Sequence, residues 1–198
     1  EMCIRDSGAA LAQALLEQGH QVALGGRRSQ ALLPLAERYP GQVLLAEGDI
    51  ADAAQVAQMA ARIEQAWGGL DMAVFNAGTC EYLEPGHFDP ALVERVVRTN
   101  LLGVSNCLAA ALPLLRAGVR PHLVVVGSSV TWLALPRAGA YGASKAAVRY
   151  LVESQRIDLA REGIDVTLVS PGFVDTPLTR RNDFPMPQLW SAERAAQH

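Results

Sequence analysis

Short apolar runs separated by stretches of helical periodicity constrain this 198-residue chain more than any other feature. Gln21 to Gly25, Val43 to Ala46, Met72 to Phe75, Leu123 to Val126 and Val166 to Val169 each read as a strand. Strands that alternate with helices imply a parallel sheet covered by those helices. Ala53 to Trp67 sets Val56, Ala60, Ile63 and Trp67 on one helical face, with Asp52 as cap and Gly68 as stop. Asp89-Pro90 reads as the cap and first-turn proline of a long helix running to about Arg116. A further helix carries Tyr141 and ends near Glu162, ahead of Gly163. No repeat, low-complexity tract or internal linker divides the chain, so the reading is one α/β domain.

Composition narrows the function classes. Half of the residues are hydrophobic, yet no apolar run reaches the roughly 18 residues that a membrane span needs. The net charge of −3 comes without a basic block, which argues against a nucleic-acid partner. Cys3, Cys80 and Cys107 are too few and too scattered for a disulfide framework or a metal site. A reducing cytoplasm fits this usage.

The chemistry is concentrated in Tyr141-Gly142-Ala143-Ser144-Lys145. Residues four apart on a helix project from one face. An unperturbed tyrosine, with a pKa of about 10, is a poor acid–base catalyst at neutral pH. A neighbouring ammonium favours the phenolate and lowers that pKa. Tyr141 and Lys145 together therefore suit proton transfer to or from an oxygen. Ser128 lies thirteen residues upstream, after the apolar run ending at Gly127, and can hold the same oxygen. Ser129 is its rival. The thirteen-residue spacing and Gly127 in the preceding position favour Ser128.

In this order and spacing the motifs resemble those of the classical short-chain dehydrogenase/reductase family, from Gly8 to about Leu178. Asn76-Ala77-Gly78 after an apolar strand, Asn100, the set Ser128, Tyr141 and Lys145, and Pro171-Gly172 with Val174 and Thr176 carry the resemblance. It implies a doubly wound parallel-sheet Rossmann fold. It also implies hydride transfer between a nicotinamide cofactor and a carbonyl or alcohol substrate. In that scheme Tyr141 handles the proton, Lys145 tunes the tyrosine and holds the nicotinamide ribose, and Ser128 steadies the substrate oxygen. Asn100 holds a water that links Lys145 to solvent, kinks the long helix, or does both. Pro171, Gly172, Val174 and Thr176 meet the nicotinamide, and Asp49-Ile50 meets the adenine. A homodimer or homotetramer is implied as well, with Ala109, Ala110, Ala146 and Ala147 permitting close packing.

The chain departs from that pattern at its start. The family opens with an apolar strand and a Thr-Gly-x-x-x-Gly-x-Gly turn, of which only Gly8 remains, so the first strand is expected to be missing or replaced. Glu1 to Ser7 resembles translated adapter sequence and is expected to be foreign, leaving 8–198 as the nucleotide-binding domain. The last strand of the family is also expected to be absent.

Cofactor choice is read from Gly25-Gly26-Arg27-Arg28. An acidic residue after this strand would bind a ribose 2′-hydroxyl, whereas arginine accommodates a 2′-phosphate. NADP(H) is therefore expected over NAD(H). Leu178 to His198, with Phe184-Pro185-Met186-Pro187, reads either as a lid over the substrate or as a surface loop. Two alternatives to an active enzyme stay open: a non-catalytic NADP-binding regulatory module, and an inactive fragment. Retention of Ser128, Tyr141, Lys145 and Asn100 argues against the first, and the absent opening strand argues for the second.

Overall fold

A computed structural model describes residues 7–27, 30 and 32–197. Its elements alternate as expected. Helix α1 (Ser7–Glu17) leads to strand β1 (Val22–Gly26), α2 (Leu33–Arg38), β2 (Val43–Glu47) and α3 (Ala53–Trp67). Then come β3 (Met72–Phe75), α4 (Pro90–Val97), α5 (Gly103–Arg116) and β4 (His122–Val126). Helix α6 (Gly139–Leu159), β5 (Asp165–Val169) and α7 (Ala192–Ala196) complete the chain.

All strand pairings are parallel and fall into two sheets. β1 pairs with β2, placing Leu24 opposite Leu45. β4 lies between β3 and β5 in the second sheet. Among the described residues β1 has no partner but β2, and β3 none but β4. This is the parallel-sheet α/β arrangement of a Rossmann-like fold. The expectation for the N-terminus falls on residues outside the described ones, apart from Ser7, which opens α1.

The local signals act as read. Asp52 caps α3 by accepting from the Ala54 and Gln55 amides, and Gly68 ends it in the left-handed region at φ 76°. Asp89 accepts from the Ala91 amide at the start of α4. The long helix after Pro90 is not uniform, however. Residues Arg98–Leu102 form a π-helical turn between α4 and α5. Such wide turns often occur at functional sites. Here the turn carries Asn100, which is fully buried. The short α2 carried no strong sequence signal.

The main core lies around β4. Leu123 and Val125 are completely buried on one face of that strand. They join Val104, Leu108 and Leu115 of α5 with Val148 and Val152 of α6 in one cluster. Helical spacing in α5 and α6 brings these apolar residues to one stripe each. A much smaller cluster, Ala12, Leu24 and Leu32, holds α1 and the loop before α2 against β1.

Candidate active site

The chemistry gathers at the carboxyl ends of β3, β4 and β5. Two hydrogen bonds extend the β4–β5 pairing past the strands: Gly127 N–H donates to the Val169 carbonyl at 2.7 Å, and Ser129 N–H to the Pro171 carbonyl at 2.9 Å. They set Ser128 beside Pro171-Gly172. A Cβ at Gly127 would approach Leu168 Cδ1 to 3.1 Å, so glycine permits this close packing. Ser128 then caps a short 3-10 turn, its Oγ accepting from the Val130 amide. Ser128 is half-buried and Ser129 is exposed.

Helix α6 brings the other two members. Tyr141 sits in its first turn and Lys145 one turn later. Ala140, on the buried side of the same turn, packs against Leu92 and Val96 of α4 and fixes the helix start. Lys145 is only 5% exposed, and its Nζ donates to the Val126 carbonyl at 2.8 Å. A buried cation needs such partners.

Asn100 organises the layer behind. Its Oδ1 accepts from the Thr79 amide at 2.7 Å. Its Nδ2 donates to the Thr79 carbonyl at 2.8 Å and to Ser144 Oγ at 2.9 Å. Ser144 in turn donates to the Tyr141 carbonyl at 2.7 Å. One amide thus ties the loop after β3 to the first turn of α6. Both amide hydrogens are committed, while Oδ1 keeps a second lone pair. Gly78 fits against this pair: a Cβ there would stand 3.2 Å from Asn100 Oδ1 and 3.5 Å from Lys145 Nζ.

Ser128, Tyr141 and Lys145 line one cavity of about 120 Å³. Asn76 and Gly78 line it from β3, and Pro171, Gly172, Val174 and Thr176 from the segment after β5. Ser7, at the N-terminus of α1 and next to Gly8, also reaches it. Gly172 leaves open space where a side chain would stand. A bare glycine wall and the N-terminus of α1 suit the approach of a phosphate group.

Other expected residues lie apart from this cavity. Arg27 follows β1, and its guanidinium is 3.8 Å from the Asp49 carboxylate after β2. Both are partly exposed at the carboxyl edge of the first sheet. Ile50 packs against Gly103 of α5, and its carbonyl accepts from Asn106 Nδ2 at 2.9 Å. Ala77 is half-buried between Asn76 and Gly78. Arg28 lies outside the described residues.

The structure adds residues that sequence reasoning missed. Ser144 stands inside the quoted Tyr-Lys stretch, whereas Leu178 and Thr179, which line the cavity, open the stretch read as a lid or a surface loop. Cys80 and Tyr82 follow Thr79. Burial pushes the Cys80 thiol above its ordinary pKa, with a smaller opposing effect of its hydrogen bond to Tyr82. Burial likewise pushes the Tyr82 phenol up, and the nearby Cys80 and Tyr141 reinforce the shift.

Comparison with known proteins decides the relationship. The family model described as short chain dehydrogenase matches residues 6–185. The chain belongs to the short-chain dehydrogenase family. It is an oxidoreductase of that family, 35% identical over 193 residues to an uncharacterized oxidoreductase of Myxococcus xanthus, with 96% of this chain and 76% of that one covered. It is also similar to an NADP-dependent 3-hydroxy acid dehydrogenase of Salmonella typhimurium, at 35% identity over 84% of this chain and 68% of the other. A gluconate 5-dehydrogenase of Burkholderia cenocepacia, solved with NADP and tartrate, superposes with a TM-score of 0.81 at 30% identity, covering 88% of this chain and 69% of that one.

Among the described residues no helix of this dehydrogenase is long and apolar enough to cross a membrane.

Proposed function

We propose that the chain interconverts a carbonyl and an alcohol with NADP(H), using Tyr141, Lys145, Ser128 and Asn100. The observation that carries this reading is the shared cavity of Ser128, Tyr141 and Lys145. A nicotinamide dinucleotide bound there supplies the hydride chemistry. Tyr141 gives its hydroxyl proton to the forming alkoxide, or takes the alcohol proton in the reverse direction. Lys145, held by the Val126 carbonyl, favours the phenolate and would hold the cofactor ribose. Ser128 Oγ steadies the substrate oxygen. Asn100 acts at one remove, by fixing Thr79 and, through Ser144, the first turn of α6.

Arg27 supports the choice of NADP(H), because it stands at the carboxyl edge of β1 with no acid in its place. Its approach to Asp49 holds the guanidinium over that edge. The NADP-dependent relative and the NADP complex of the similar dehydrogenase agree with this choice. The site is proposed to act on small molecules in the cytoplasm, as a homodimer or homotetramer. In support of the assembly, Ala109 and Ala146 are exposed, and Tyr150 and Ile157 of α6 are 79% and 68% exposed.

The test is NADPH oxidation against a panel of aldehydes and ketones. Turnover that favours NADPH over NADH is the expected result. Tight cofactor binding without turnover on any carbonyl compound would point instead to a regulatory module.

A further inference from the structure

Asn106 is a half-buried amide on α5 that the chemistry above does not use. Its Nδ2 donates to the Ile50 carbonyl at 2.9 Å, across fifty-six residues. The loop after β2 meets α5 a second time at Gly103. There the Ile50 side chain packs so closely that an added Cβ would stand 2.7 Å from Ile50 Cδ1. Glycine at the end of the π-helical turn and an amide one turn later therefore receive this loop together.

Other bonds fix the shape of the loop. The Asp49 N–H donates to Gln55 Oε1 at 2.9 Å, and Asp49 Oδ1 accepts from the Ala51 N–H at 2.9 Å. Gln55 Nε2 in turn donates to Asp52 Oδ2 at 2.9 Å. The contacts with α5 fix the place of the loop against the catalytic layer, because Asn100 precedes Asn106 by less than two helical turns. The other Asp49 oxygen, Oδ2, lies 3.8 Å from the Arg27 guanidinium. A shift of Ile50 would therefore carry the partner of Arg27 with it.

In an open α/β sheet a ligand lies outside the carboxyl ends of the strands. The cavity of Tyr141 and Lys145 stands at those of β3, β4 and β5, and Arg27 stands at that of β1. A dinucleotide that spans both lays its adenosine half against the loop after β2. We propose that Asn106 is a positioning residue for the adenosine half of NADP(H): it holds Ile50, and with it Asp49, where the loop meets that half. This rests on the NADP(H) reading above and deepens it.

The experiment titrates adenosine 2′,5′-bisphosphate and reduced nicotinamide mononucleotide, by calorimetry, into the unaltered chain, Asn106→Ala and Asn106→Leu. Both variants lack the donor and differ from each other in bulk. Both should bind the bisphosphate about fivefold more weakly, the worth of one neutral hydrogen bond. The mononucleotide should bind the unaltered chain and the variants alike. In turnover the KM for NADPH should rise by about the same factor, with kcat nearly unchanged. Unchanged bisphosphate affinity in the variants would overturn the proposal. So would a loss in one variant alone, which would assign the effect to packing, and so would equal losses for the two fragments, which would mark a general loosening of the fold. An unaltered chain that binds no bisphosphate would contradict the NADP(H) reading, and the proposal with it.

Discussion

The two sheets of this dehydrogenase are built to different standards. Among the described residues, eleven buried ones form one cluster around β4, and three form the corresponding cluster around β1. Buried polar groups follow the same division, since Asn100, Ser144 and Lys145 all belong to the first region. The second region instead carries Arg27 and Asp49, partly exposed and 3.8 Å apart. Proton transfer needs donor and acceptor held within a fraction of an ångström, and dense packing with satisfied polar groups supplies that. Recognition of a cofactor phosphate relies on charge in water-accessible space and tolerates a looser frame. Under the proposed function, the difference teaches that rigidity is spent where bonds are to change.

The largest effect should come from Asn100→Leu. The change strands the Thr79 amide and carbonyl and removes a donor to Ser144. Two or three buried groups without partners should cost about 4 kcal/mol in all. Urea unfolding measures it, and a loss below about 1 kcal/mol would mean that water replaces the amide there. Next, Leu115→Ala in the large cluster should cost about 4 kcal/mol, and Leu24→Ala in the small one about 2 kcal/mol, because a looser site collapses around the cavity more readily. Equal costs would break the comparison between the two regions. On a different readout, Arg27→Ala should weaken NADPH binding by about 1.5–3 kcal/mol, the worth of a charge-assisted hydrogen bond. NADH binding should stay nearly as it was. Equal losses for both cofactors in calorimetric titration would show that Arg27 does not touch the 2′-phosphate.

Much of this was legible in the sequence because it is local. Asp52, Gly68 and Pro90 act within one helical turn, so their signals survive without knowledge of the fold. Tyr141 and Lys145 are likewise set by helical spacing, and Ser128 by its strand. The π-helical turn was legible only as a kink at Asn100, because Arg98–Leu102 contains no proline or glycine to break an α-helix. Its cause is tertiary: Asn100 reaches Thr79, twenty-one residues away. Ile50 and Asn106 are fifty-six residues apart, and no periodicity links them. Ser144 was overlooked for a different reason. It lies inside the motif, but its position reads as a helix-facing small residue until Asn100 is seen beside it.

The central claim is that Tyr141 is the proton-transferring group of the densely packed region. Turnover of Tyr141→Phe on a good carbonyl substrate, with NADPH affinity measured on the same preparation, tests it most directly. General acid catalysis contributes on the order of a hundredfold or more, so kcat should fall by at least that factor while NADPH binds almost as before. Near-normal turnover in Tyr141→Phe would contradict the account and place the proton transfer on another group.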